Sequence, residues 1–156
     1  MTLANISRID RGEELLFYRE GLSERTVVLL EQAAREFQQV GEAYDAPVPP
    51  VAELLDMYYG CEGETVLDAM RSVAPYSSIT APTSLDHRFL HEDVSSTLVP
   101  MTELARRAGC PTPMTDAVIG LASTLSHVDY RTSGRTLAGI GWGGLTQAQI
   151  RDVLNR

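Results

Sequence analysis

SERTVVLLEQAAREFQQVGE, residues Ser23–Glu42, is the stretch that sets the fold class. Its apolar positions Val27, Leu30, Ala33, Ala34, Phe37 and Val40 recur at three- and four-residue steps, with Arg25, Glu31, Arg35, Glu36 and Gln38 between them. That period gathers the apolar side chains into one stripe of an α-helix and turns the polar ones to the other side. Ser23 stands at the N-cap position, where a hydroxyl accepts from a first-turn N–H that has no partner inside the helix. Gly41 lies near the far end, and Pro47, Pro49 and Pro50 mark the connector that follows.

Helical signals continue outward from there. Pro50 suits the first position of a helix running through Val51, Leu54, Leu55 and Tyr58 to Gly60. A shorter helix is predicted over Glu64–Arg71, carrying Val66, Leu67 and Met70. Between Ser72 and Asp86 the composition turns to Pro, Ser, Thr and Ala, which predicts a loop, and loops on a rigid scaffold are where binding residues concentrate. Helices are predicted again over Met101–Ala108 and Pro113–His127, the latter with Met114, Ala117, Val118, Leu121 and Leu125 at helical spacing. Thr146 and Gln149 form a capping-box pattern ahead of Ile150, Val153 and Leu154. No run alternates strictly enough for a strand, and no repeat is visible. The expected fold is all-α, a multi-helix, bundle-like single domain over residues 1–156.

Length and charge narrow the function. A chain of 156 residues fits one domain and buries roughly 70% of the surface its unfolded form exposes. The formal net charge of -8 argues against nucleic acid, whose binding rests on neutralising phosphates with a basic surface. All 13 basic residues are arginine, which excludes Schiff-base lysine chemistry, a lysine general base and a Gly-Lys-Ser/Thr phosphate loop. Cys61 and Cys110 form neither a Cys-x-x-Cys pair nor a disulfide framework. No apolar run approaches the ~20 residues of a membrane span, and no charged and apolar leader is present, so a cytosolic location without a membrane partner is expected.

The chemistry-bearing residues cluster at His87-Arg88-Phe89-Leu90-His91-Glu92-Asp93-Val94. Arg88 has the planar fork of donors that grips a carboxylate. On a helix it is also the i, i+4 neighbour of Glu92, and a plain surface ion pair is the alternative. Asp93 lies about 140° round an ideal helix from Arg88, so it orients or charges a histidine elsewhere, or else caps the helix end. His87 and His91 are again i, i+4 and could share a metal on one face; no third ligand is evident apart from Asp86, Glu92 and Asp93, so no metal is expected. His127 suits a helix C-terminus. Gly139-Ile140-Gly141-Trp142-Gly143-Gly144 lacks a preceding strand and a following acidic ribose ligand, so it is expected to be a turn presenting Trp142 to an apolar surface.

Arg88-Phe89-Leu90-His91-Glu92-Asp93-Val94, with Leu98-Val99-Pro100 and Pro111-Thr112-Pro113 after it, resembles the C-terminal helical domain of the octopine/nopaline (opine) dehydrogenase family. The resemblance spans nearly the whole chain. It takes in Asn5-Ile6-Ser7-Arg8-Ile9, Tyr18-Arg19-Glu20-Gly21-Leu22, Tyr76, Ala81-Pro82-Thr83, Asp129-Tyr130-Arg131 and Gly134-Arg135-Thr136-Leu137. It implies a helical domain that closes over a dinucleotide-binding domain, the pair condensing an amino acid with a 2-oxo acid at the expense of NADH or NADPH. Arg88 would bind substrate carboxylate, Asp93 would pair with a catalytic histidine, and Tyr76 would line the pocket. The family's catalytic His-Pro motif would stand upstream of the first residue, and Asp93-Val94-Ser95-Ser96-Thr97 replaces its usual Asp-Val-Pro-Tyr-Gly.

Three functions follow from the resemblance. In the first, the chain is the substrate-binding part of a split dehydrogenase: it binds no cofactor alone, and a separate Rossmann-domain protein brings NAD(P)H and the histidine. In the second, it is a stand-alone redox-neutral acid–base enzyme (cyclase, isomerase or hydrolase) on an amino-acid or imine substrate, with His87 or His91 replacing that histidine beside Asp93. In the third, it is a non-catalytic dimerisation or binding module, and a homodimer is a candidate assembly because family members can pair through this domain.

Overall fold

The computed structural model describes residues 1–61 and 63–155, and its regular elements are helical. They are α1 (Ile6–Asp10), α2 (Glu24–Ala43), α3 (Val51–Tyr59), α4 (Val66–Ser72), α5 (Arg88–Asp93), α6 (Val99–Ala108), α7 (Pro113–Ser126), α8 (Tyr130–Ser133) and α9 (Gln147–Leu154). Short 3-10 turns cover Thr2–Asn5 and Ala74–Ser78, and a π turn covers Val94–Leu98. Among the described residues the extended pairing is an isolated antiparallel bridge between Leu16 and Thr80, so the fold is all-α as expected.

The chain divides into two compact units, Met1–Ala34 with Pro49–His87, and Arg35–Val48 with Arg88–Arg156. In the first unit, Leu55 of α3 packs with Ala69 and Val73 at α4, and Val51, Cys61, Met70 and Tyr76 close around them. The guanidinium of Arg71 donates to the Leu22 carbonyl at 3.1 Å and the Arg19 carbonyl at 3.3 Å, tying α4 to the segment before α2. In the second unit, Val40 and Tyr44 meet Met101 and Ala105 of α6, Leu137, and Ile150 of α9. Burying a side chain such as Ile150 or Leu137 contributes about 1.5–3 kcal/mol.

Local chemistry explains most helix ends. The hydroxyl of Ser23 accepts from Thr26 N–H at 3.2 Å, as an N-cap should. Gly60 and His127 close α3 and α7 in the left-handed conformation, and the capping box of Thr146 and Gln149 opens α9. Some boundaries differ from expectation. Pro50 is the N-cap of α3 and not its first helical residue, because its ψ of 151° is extended. The helix predicted from Glu64 starts at Val66, since Thr65 serves as its N-cap and accepts from Asp68 N–H. Gly41 lies inside α2, where a Cβ would come within 2.5 Å of the Ala46 carbonyl as the chain turns back over it.

The largest difference lies between Arg88 and Ala108, where α5, the π turn and α6 run on without a break. Pro100 accounts for it. Proline has no N–H to give and its ring crowds the carbonyl four residues back, here Ser96. The helix widens by one residue, with Val99 N–H bonding to the Val94 carbonyl. The Ser95 carbonyl takes its donor from elsewhere, the N–H of Arg135 at 2.8 Å.

Candidate functional site

Arg88 is the first residue of α5, with His91 and Glu92 three and four positions on and therefore on its side of the helix. Leu90 and Val94, 4% and 2% exposed, are buried on the other side. Arg88 Nε lies 3.4 Å from Glu92 Oε2 and both side chains are largely solvent-exposed, so the ion pair allowed by the spacing is formed. Such a pair is worth a few tenths of a kcal/mol and leaves the guanidinium easy to recruit.

Asp93 ends α5, about 140° round from Arg88, so the helix does not bring these two side chains together. Although it stays exposed to solvent, partial loss of hydration pushes its carboxyl above the usual carboxylate range, and the neighbouring Glu92 adds to the rise. His91 is two residues from Asp93 and so does not share its face. Nδ1 of His91 is hydrogen-bonded to the hydroxyl of Tyr130, whose side chain is 2% exposed.

The segment from Asp129 to Arg135 braces this region. Asp129 Oδ1 accepts from Arg131 N–H and starts α8, while Arg131 reaches Asp116 of α7 at 2.6 Å. Gly134 sits where a Cβ would lie 2.6 Å from the Tyr130 carbonyl and 2.8 Å from the Ser95 carbonyl. Only glycine allows so close an approach to the π turn.

Tyr76 and His87 belong to the first unit. Tyr76 stacks on Tyr18 with ring centroids 4.0 Å apart and meets Tyr59 edge-on at 5.4 Å. Burial and a hydrogen bond with Tyr59 push its phenol well above the ordinary tyrosine value, so it stays neutral. His87 precedes α5, with its N–H bonded to the Leu85 carbonyl, so it does not share a helix face with His91 as the metal-pair alternative required. Among the described residues no three of His, Cys, Asp and Glu gather as metal ligands do.

The glycine-rich segment behaves as the expected turn. Trp142 is partly buried against the core, and Arg107 donates to the carbonyls of Gly143 and Leu145. The N–H groups of Gly139, Ile140, Gly141 and Trp142, which a phosphate cradle would need, are bonded instead to Thr136, Ala138 and Leu137. A shallow concavity of about 360 Å³, lined by Glu103, Arg106, Arg107, Leu137, Ala138 and Gly143, includes none of the candidate residues.

Two residues escaped the sequence reading. Tyr130 was visible only as part of a motif, with nothing to link it to a histidine 39 positions away. Glu36 looked like a member of a solvated helix face. It is 2% exposed and accepts from Met114 N–H, Thr115 N–H and the Thr115 hydroxyl at the start of α7.

Comparison with known proteins places these observations. Residues 1–126 match the model of the NAD/NADP octopine/nopaline dehydrogenase alpha-helical domain. The chain is 38% identical over 153 residues to an opine dehydrogenase of Arthrobacter sp. strain 1C, covering 98% of this chain and 43% of that protein. It is 32% identical over 98 residues to a vitopine synthase of Allorhizobium ampelinum, covering 63% of this chain and 27% of the relative. An octopine dehydrogenase structure, described as holding NADH and L-arginine, superposes with a TM-score of 0.71 over 96% of this chain and 46% of its own, at 19% identity, which speaks for the fold alone. The chain spans less than half the length of these relatives.

Proposed function

The chain belongs to the octopine/nopaline dehydrogenase family, as its alpha-helical domain, and on that premise we propose that it is the substrate-binding half of an opine-dehydrogenase-like enzyme. The reaction is the condensation of an amino acid with a 2-oxo acid, followed by reduction of the product imine with NADH or NADPH. The identity with the Arthrobacter opine dehydrogenase along 153 residues carries this reading.

On this reading the reductant is held by a Rossmann-type domain or partner protein and not by this chain. What falls to this chain is the substrate. Arg88 binds a substrate carboxylate, trading the weak pair with Glu92 for a charge-assisted, two-pronged one. The amine nitrogen attacks the 2-oxo carbon and water leaves as the C=N bond forms. Asp93 supports the histidine that handles protons in this step; its raised carboxyl lies nearer neutrality than an ordinary aspartate. Tyr76 is a substrate-lining candidate by the family resemblance, and His87 and His91, on either side of Arg88 in the sequence, are further proton-handling candidates.

A turnover assay tests the proposal, using purified chain, a panel of amino acids and 2-oxo acids, and NADH or NADPH, with and without the dinucleotide-binding half. Reductant consumption only when both halves are present is the expected result. No consumption in either case, with a substrate mass change produced by the chain alone, replaces it with the redox-neutral enzyme. No change at all leaves a binding module.

A further inference from the structure

We propose that the concavity at the end of α6 is a second acid-binding site, which takes a small organic monocarboxylate on Arg106. It stands apart from the Arg88 side, because Arg106 follows Arg88 along the continuous rod of α5 and α6 by roughly 25 Å, at about 1.5 Å per residue. The site therefore holds whether or not Arg88 binds substrate.

Two adjacent arginines of α6 are employed differently. Arg107 donates to the carbonyls of Gly143 and Leu145 and so fastens the glycine-rich turn to the helix. Arg106 fastens nothing. Its side chain is 55% exposed, its ion partner is Glu103 Oε1 at 3.9 Å, and among the described residues its guanidinium makes no hydrogen bond.

The rest of the lining is one-sided in the same sense. The concavity of about 360 Å³ is bounded by Glu103, Arg106, Arg107, Leu137, Ala138 and Gly143, and most of its acceptors are taken. The Leu137 carbonyl receives Trp142 N–H at 2.7 Å, and the Ala138 carbonyl receives Gly141 N–H at 3.1 Å. The Gly143 carbonyl receives Arg107, and the second oxygen of Glu103 receives Leu137 N–H. Its donors are not taken: the backbone N–H groups of Ala138 and Gly143 have no acceptor among the described residues. These two residues are in contact, since a Cβ added at Gly143 would lie 3.0 Å from Ala138 Cα and 3.7 Å from Ala138 N.

A surplus of donors suits a ligand that only accepts, and a carboxylate is such a group. Its charge fits as well. Two guanidinium groups share the concavity with one carboxylate, which leaves one positive charge in excess within a chain of formal net charge -8. A single carboxylate balances that excess, whereas a dianion overshoots it and meets Glu103. Leu137 and Ala138 give a short carbon chain something apolar to lie against, and the volume suits a small ligand.

Amide and arginine Nε–H NMR spectra of the 15N-labelled full chain, titrated with butyrate, test this, with butanol as the same carbon body without the charge. The expected result is a saturable shift of the Ala138, Gly143 and Arg106 signals with butyrate and none with butanol. That response should be the same in Arg88→Ala and weakened about tenfold or more in Arg106→Gln, the loss of a charged hydrogen bond. No shift at Ala138 and Gly143, whether or not signals near Arg88 move, overturns the inference. An affinity untouched by Arg106→Gln, or equal binding of butanol, overturns it too. Inorganic phosphate forms the third arm, and tighter binding of phosphate than of butyrate at the same signals overturns the monocarboxylate assignment. Arg106→Gln breaks no hydrogen bond and should keep the circular dichroism of the parent; if it does not, the position of the shifts and the butanol contrast in the unmodified chain still decide.

Discussion

Glu36 and Asp93 are carboxylates of the same compact unit with opposite surroundings. Glu36 is buried at the start of α7, where three donors stand within 2.7 to 2.9 Å of its oxygens. Asp93 is exposed at the end of α5, beside Glu92 and short of hydration, and its carboxyl is raised. A carboxylate saturated by fixed donors fastens two helices and has nothing left to offer a ligand. One raised by lost hydration and a neighbouring acid has the perturbed character that groups at functional sites often share. Burial of a charge, by itself, is therefore no guide to function in this chain.

The comparison can be broken most directly at Glu36. Glu36→Ala strands buried N–H groups at the α7 start and should cost about 3 kcal/mol or more, since each unsatisfied buried donor costs about 1–3 kcal/mol. Urea unfolding measures it, and a loss below about 1 kcal/mol would remove the structural role assigned to Glu36. On the functional side, Arg88→Ala should leave the unfolding midpoint almost untouched and weaken binding of an anionic substrate by about 1.5–3 kcal/mol, read by titration calorimetry. Equal affinity in the variant defeats the clamp.

Gly134→Ala tests whether the π turn depends on its brace. The added methyl collides with two backbone carbonyls, and overpacking of this kind costs about 1–3 kcal/mol in thermal unfolding. The smallest effect belongs to Asp93. Because its folded carboxyl is raised, its stabilising contribution is complete below the ordinary aspartate value and is lost as pH rises through the folded value. Asp93→Asn should therefore match or slightly exceed the parent in stability at neutral pH, and the parent should gain on the variant during acidification. A variant less stable at pH 7 would make Asp93 a second Glu36.

Helix caps and apolar periods were legible in the sequence because they are local. Ser23, Thr146 with Gln149, and the helix ends at Gly60 and His127 follow from two or three neighbouring residues each. The family resemblance was legible too, through the order of short motifs around Arg88. Glu36 was not, because its helix supplies the expected polar position and only the docking of α7 turns that position inward. The π turn was hidden for another reason: one extra residue in a helix leaves no period to detect. Its trace was Pro100, which was noted only as part of a motif. The bond between His91 and Tyr130 joins distant parts of the chain and carries no local mark.

The π turn also makes the bearing of the candidate site a matter of counting. An α-helix advances about 100° per residue, and Val94–Leu98 holds one residue more than an α-helical turn needs. Wound as plain α-helix, which Pro100 prevents, the same residues from Arg88 to Ala108 would carry Arg88 and His91 about a quarter-turn further round relative to α6. The bearing of the Arg88 side is thus set by how Pro100 makes the helix wind, so replacing that one proline redirects it while changing none of the side chains that compose it.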